Sequence, residues 1–290
     1  MGIGRPPRKG WPAGKSTGPP WALDLQAKIV KKPGMSVSEP ARIASIYRYP
    51  VKGLSGERLA STELSPGATL KNDRAFALEN GPSGFDPAAP SWQPKIKFLC
   101  LMRNARIAAI ETTYDDASGV LTIRRSGRLL VDANLNRAAG RATVESFFQG
   151  FMGKEARGPI KLLESPGHSF SDVAKKVVSI VNLQSVAALA QAIGEPVHEL
   201  RFRGNLHVDG WPAWLETQMI GHEIEIGVTR LRVVKMIQRC AATEVNPENA
   251  QRDMDVTASL YRLTGDENCG IYAEVLRGGR IAEGEAVVVR

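Results

Sequence analysis

Apolar and polar residues alternate in short runs along most of the chain, and each run ends at a cluster of turn-forming residues. From Arg42, RIASIYRYP sets Ile43, Ser45, Tyr47 and Tyr49 against Ala44, Ile46 and Arg48, the period of a strand, and breaks at Pro50 and Gly53. Short strands are also predicted over residues 60–64 and, after the Lys71–Asn72–Asp73 turn, over 74–78. GPSGFDPAAPSWQP is a loop by composition. ARIAAIETTY and GVLTIRR, parted by DDASG, predict a hairpin, since Asp, Ser and Gly supply the turn conformations. In AAGRATVESFFQGFMG the period changes: Val144, Phe147, Phe148 and Phe151 recur at three- and four-residue spacing, which predicts a helix ending at Gly153.

The second half has the same texture. SDVAKKVVSIV reads as a loop entering a strand, and Asn182 caps the helical LQSVAALAQAI, which Gly194 and Pro196 stop. RFRGNLHVDG, IGHEIEIGV and LRVVKMIQRC are strand-like, a helix-like piece follows over 257–262, and Cys269 falls in a DENCG loop. GRIAEGEAVVVR closes the chain as a turn and a strand. Many short strands with few helices predict an α+β, β-rich fold: a β domain over 37–158, then a small barrel over 159–290, divided at Gly158–Pro159. No solenoid repeat is visible.

Composition narrows the class. With 43% hydrophobic and 23% charged residues in 290, the chain belongs with globular proteins. Cys100, Cys240 and Cys269 have neither the count nor the spacing of a disulfide, zinc or iron–sulfur framework, so a reducing, cytoplasmic setting is expected. The net charge is +8, but residues 1–34 hold seven Lys or Arg against Asp24 alone, so residues 1–36 are expected to form a disordered basic tail. Organelle targeting and a translation start at Met35 both account for such a leader, and the second is favoured. WALDLQAKIV, broken by Asp24, Gln26 and Lys28, is neither a signal core nor a membrane span. The rest of the chain has a net charge of +2, which speaks against a nucleic-acid partner.

One residue stands out chemically. Cys240 is expected where a strand gives way to a loop, beside Arg239, whose charge favours a thiolate, the form that attacks or binds metal. A buried, inert cysteine reads the same way in isolation. His168, His198, His207 and His222 have no zinc spacing. Asp253 and Asp255 read as solvated loop acids, and Trp211 with Trp214 as packing. No GxGxxG or Walker spacing is present.

The order of the short motifs goes further. YPVKGLSGE, NDRAFAL, FSD, a strand and helix, RFRGNLHVDG, RC before a TxVxP segment, and a terminal GxIxxGExV resemble, from about Ala41 to the end, the MOSC family. The form resembled carries an N-terminal β-barrel domain ahead of the MOSC β-barrel domain, as in the mitochondrial amidoxime reducing components and their bacterial relatives. The resemblance implies a pterin-based molybdenum cofactor, Mo-molybdopterin. Cys240 and Thr243 in RCAAT match the family's RC-x-x-T pattern, which makes Cys240 the metal ligand and catalytic residue. Arg74 matches the DR pair, Arg203 and Asn205 the FRxN element, Lys52 the YPVK element and Ser171 with Asp172 the FSD loop; with Arg239, these are the implied cofactor-binding residues. Ser55 stands where relatives carry a second lysine, and Cys100 and Cys269 match no ligand position.

Two functions follow from the resemblance. One is an oxidoreductase that reduces small N-hydroxylated or N-oxygenated substrates. Its electrons come from a separate reductase or ferredoxin-type carrier, because the chain has no iron–sulfur cysteine cluster and no dinucleotide fingerprint. The other is a module that carries molybdenum cofactor, or sulfur on Cys240, to other enzymes.

Overall fold

β1 (Arg42–Arg48) is the strand that RIASIYR predicts, with Ile43 and Ile46 in the core. The computed structural model describes residues 40–290, so the expected basic tail lies outside the described residues. β1 pairs antiparallel with β2 (Glu57–Leu59), which a single residue separates from β3 (Ser61–Leu64). β4 (Phe76–Asn80) is buried throughout. Next come a long loop and a meander of β5 (Glu111–Asp115), β6 (Val120–Arg125) and β7 (Arg128–Asn134).

From β4 to β7, two local outcomes differ from the sequence pattern. ARIAA, expected to begin a hairpin strand, is a 3-10 turn over Ala105–Ala109; so short a run of Ala and Ile fits either form, and burial of Ile107 decides it. β7 was not expected. Ser126 and Gly127, with φ of 50° and 75°, make the two-residue turn that joins it to β6.

α1 (Ala138–Met152) buries Val144, Phe148 and Met152 at four-residue spacing and lies across β7 and β8 (Ile160–Glu164). β9 (Val178–Asn182) runs into α2 (Leu183–Ile193), where the Asn182 side chain accepts from the Gln184 N–H at 3.0 Å, the expected cap. β10 (Leu206–Asp209), β11 (Glu223–Ile226), β12 (Thr229–Gln238), α3 (Val256–Thr264), β13 (Asn268–Arg277), β14 (Gly279–Ala282) and β15 (Val287–Val289) complete the chain. Cys269 therefore sits in a strand, not a loop: the turn ends at Glu267, Asn268 opens the strand, and Cys269 is fully buried between neighbouring strands.

Eight strands form one sheet in the order β15-β11-β12-β13-β9-β10-β1-β2, with only the β9–β10 pair parallel. The sheet curls until Val287 N–H reaches Ala41 O at 2.7 Å and Ile43 N–H reaches Glu285 O at 2.9 Å. Strands from both sides of residue 158 thus share a sheet, and β3 pairs with β14 in a smaller one. The main core fills the curl with Ile43, Ile46, Leu206, Val208, Leu231 and Ile271 among others. A second core joins β4, β8, the β5–β7 meander and α1, and a third lies under α2 and α3. With three α-helices among the described residues, the fold is the expected β-rich α+β class.

Candidate functional site

β1 leaves its sheet at Tyr49–Pro50, and Lys52 follows in a turn that needs Gly53: its φ is 85°, and a Cβ there would lie 2.6 Å from Leu99 O. The 72–74 turn, the 170–173 loop, the segment before β10 and the end of β12 converge on the same place. Together they enclose a cavity of about 270 Å³ lined by Lys52, Arg74, Ser171, Asp172, Arg203, Asn205, Arg239 and Cys240, every site residue the sequence singled out. The lining holds seven Lys or Arg, with Lys95, Arg201 and Lys235 added, against Asp73 and Asp172. Such a wall concentrates positive potential on whatever enters.

The arginines form one side. Arg74 and Arg203 bracket the buried Tyr49 ring, with guanidinium carbons 4.8 and 4.2 Å from its centroid. Both hold left-handed backbone conformations, φ 54° and 52°, at a cost of roughly 1–3 kcal/mol each. Arg74 has a counter-ion in Asp73 and donates to Arg203 O at 3.1 Å. Arg203 has no ion pair and no side-chain hydrogen bond among the described residues, and its Nη2 is buried without a partner. Burial, aided by the nearby Arg74 charge, pulls its pKa down to about 10, the mark of a cation lacking an anion. Arg239, 8% exposed, donates from Nε to Cys269 O at 2.7 Å and from Nη1 to Phe202 O at 2.6 Å. Its Nη2 is likewise unpartnered, and burial lowers its pKa too.

The thiol side is built on loops. Cys240 lies just past β12, half-buried, at the start of a 3-10 turn over Ala241–Glu244. Thr243 of the same turn donates from its backbone N–H to Cys240 O at 2.9 Å and from its hydroxyl at 3.0 Å, which fixes the cysteine backbone. Lys95 Nζ is 3.3 Å from Cys240 Sγ and 3.2 Å from Asp172 Oδ2. Lys52, 5% exposed, donates to Phe170 O at 2.8 Å and to Asp172 Oδ1 at 2.5 Å. Burial lowers the Lys52 pKa despite this pairing, because its ammonium lies deepest. Burial would raise Asp172, but Lys52, Lys95 and Arg74 outweigh it and hold the carboxyl well below the usual carboxylate range. We read the pair as charged at neutral pH, since Asp172 answers two ammonium groups at once.

The remaining residues play different parts. The Asn205 amide is largely spent inside the fold, accepting from Ser179 N–H and Oγ at 3.1 and 2.7 Å and donating to Tyr47 O at 3.1 Å. It positions the Arg203 segment between β1 and β9. Ser171 Oγ donates to Val173 O at 2.6 Å and shapes the loop that presents Asp172. Ser55 turns away to Thr112, 3.0 Å from its hydroxyl, and is absent from the cavity wall. Asp253 pairs with the buried Arg201 at 2.6 Å, and Asp255 caps α3 through Ala258 N–H at 3.0 Å. Trp211 is core and Trp214 packs beside α2 and α3. Lys95 and Tyr49 escaped the sequence reading: Lys95 sits in a loop with no period, and Tyr49 reads there as one more strand residue.

Residues 40–157 match the MOSC N-terminal beta barrel domain and residues 166–288 the MOSC domain. Domains of this kind are associated with molybdenum cofactor binding. No curated protein matches the chain. Among solved structures it is similar to the YUAD protein from Bacillus subtilis, at 13% identity over 86% of this chain and 94% of that one, with a TM-score of 0.41. It is also similar to YiiM from Geobacillus stearothermophilus and from Escherichia coli, each at 19% identity over 39% of this chain and 53% of theirs, with TM-scores of 0.31 and 0.30. An anionic cofactor with its own metal ligands fits the residues present. Two guanidiniums with buried, unpartnered Nη2 atoms lack an anion, a half-buried thiol lines the same cavity, and no cluster of three His, Cys, Asp or Glu exists among the described residues to hold a metal by protein alone.

Proposed function

This chain belongs to the family of MOSC proteins that carry an N-terminal MOSC beta barrel domain, and from that premise we propose that it is a molybdenum-cofactor oxidoreductase reducing small N-hydroxylated or N-oxygenated compounds. The observation that carries the reading is the pair of anion-free guanidiniums, half-buried Arg203 and buried Arg239, each with a buried and unpartnered Nη2, lining the same cavity as the Cys240 thiol. Arg203, with Arg74 and the unpartnered Nη2 of Arg239, would bind the cofactor's phosphate by charge-assisted hydrogen bonds. Cys240 would supply the one protein ligand to the metal, with the Lys95 ammonium 3.3 Å from its sulfur. Lys52 and Asp172 hold the 170–173 loop against the turn that follows β1 and so keep the cavity wall in place. When bound, the cofactor supplies the two-electron chemistry that breaks the substrate's N–O bond. Two electrons and two protons are consumed, and water leaves. The electrons come from a separate redox protein.

The test begins with the metal. Purified protein should hold close to one molybdenum per chain and, with reduced viologen, convert benzamidoxime to benzamidine, whereas NADH alone gives no turnover. Cys240→Ala should abolish turnover and change the metal's absorption, while Cys100→Ala and Cys269→Ala retain both. Full molybdenum occupancy with no turnover of any N-oxygenated compound would move the chain to the carrier function, and full activity in Cys240→Ala would remove the ligand assignment.

A further inference from the structure

A second cavity, of about 140 Å³, adjoins the first, and Ser171 lines both. Two chain segments run from one to the other: Pro90 and Trp92 line the second cavity and Lys95 the first, while His168 lines the second and Asp172 the first. Anything held in the smaller cavity therefore lies next to the Lys95–Asp172 edge of the larger one, where Lys95 meets Cys240.

The size of this cavity suits a flat ring, and Trp92 and His168 offer ring faces in a wall that also holds Ser169, Ser171 and two lysines. An apolar cavity of about 150 Å³ in another protein accepts benzene, so 140 Å³ admits one six-membered ring and little more. Trp92 is 44% exposed, an indole left half in water beside a cavity, which a ligand would cover. His168 stands 5.1 Å from the Phe85 ring and 4.8 Å from Phe170. Its burial, with help from Lys176, favours the neutral imidazole. Lys175 and Lys176 close the rim, the first paired with Glu274 at 2.6 Å and the second bonded to Gly167 O.

We propose that this cavity is the ring subsite of the substrate, with Trp92 as the residue that selects an N-hydroxyamidine carried on a single aromatic ring. The assignment rests on the reductase reading above. The charges around the subsite agree with that reaction. An amidoxime is neutral at pH 7; reduction with two electrons and two protons turns it into a neutral amidine and water, and the strongly basic amidine then takes a third proton from solvent and becomes a cation. Lys175, Lys176 and the cation-rich main cavity tolerate the neutral substrate and repel the cationic product, which favours release.

Molybdenum-loaded full-length protein without reductant should be titrated calorimetrically with benzamidoxime and with the ringless acetamidoxime. Trp92→Ala should weaken benzamidoxime about tenfold and leave acetamidoxime within about twofold, and Trp92→Phe should recover most of the loss. In viologen-driven turnover the KM for benzamidoxime should rise with the dissociation constant while kcat holds. Equal weakening of both compounds, or none for benzamidoxime, overturns the subsite. Trp92-dependent binding of benzamidoxime without turnover of any N-oxygenated compound sustains the subsite and overturns the reductase reading instead.

Discussion

Arg48 and Arg239 are buried to the same degree, each 8% exposed, yet they hold their charge in opposite ways. Arg48 spends Nε on Glu57 at 2.6 Å, Nη1 on both oxygens of Asp116 at 2.7 and 2.8 Å, and Nη2 on Tyr114 O at 2.9 Å. Burial alone would lower its pKa, but the bonds to Asp116 and Glu57 outweigh it and raise it. Its work is structural: it ties β1 to β2 and to the β5–β6 turn. Arg239 meets two carbonyl oxygens and the Phe202 ring, Arg203 meets the face of Tyr49, and neither has a carboxylate partner among the described residues. An unpaired buried ion costs several kcal/mol after relaxation. On the function proposed above, a fold that compensates one arginine fully and leaves two uncompensated beside a cavity keeps those two for an anion.

Removing each kind of arginine tests the contrast. Arg48→Met strands Glu57 and Asp116, so stability should fall by about 3–5 kcal/mol, read from the urea midpoint, while molybdenum per folded chain stays within about twofold. An unchanged midpoint would erase the difference. Arg203→Met should do the reverse. One charge-assisted hydrogen bond is worth about 1.5–3 kcal/mol, so cofactor affinity should drop roughly tenfold to a hundredfold. The cofactor-free protein should be as stable as the parent or more so, since a desolvated charge has gone. Arg74→Ala belongs between them, lowering retention and also stability, because it leaves Asp73 buried without its partner. If Arg203→Met loses stability and keeps cofactor, Arg203 is a second Arg48.

Sequence order made most of the cavity legible because its residues lie in short, separately recognisable motifs: Arg74 after a turn, Arg203 and Asn205 before β10, Cys240 after β12. What no motif could convey is the state of each charge. Arg48 and Arg203 look alike as letters, and only the positions of Glu57 and Asp116 in space separate them. Lys95 was missed for a related reason, since a loop of Gly, Pro and Ala has no period to say which face a lysine takes. The strands that escaped, β7, β8, β13 and β14, have mixed faces or begin in turn-like residues. β13 in particular holds Gly270 at φ 81°, where a Cβ would come 2.6 Å from Ile180 O, a tertiary demand that composition reads as a loop.

The smallest expected effect concerns the thiol side, where lysines have a carboxylate and the arginine pattern does not apply. Lys52, Lys95 and Arg74 hold Asp172 below its ordinary range against the pull of burial. Its folded pKa is therefore below the value of about 3.9 in the unfolded chain. A carboxyl depressed in this way contributes stability in full above about pH 4, and that contribution is lost as pH falls through the folded pKa. The Asp172 side chain is 43% exposed, so solvent screening should hold the contribution to about 1 kcal/mol or less. Asp172→Asn should accordingly lower the urea midpoint slightly and equally at pH 7 and pH 5, with the gap to the parent closing below pH 4. The same change removes one of the two carboxylates on the cavity wall, so anion affinity should rise where Arg203→Met lowers it. A gap that widens on acidification would mean that Asp172 is not the counter-ion of the two lysines, and the thiol side would then hold uncompensated cations as the arginine side does.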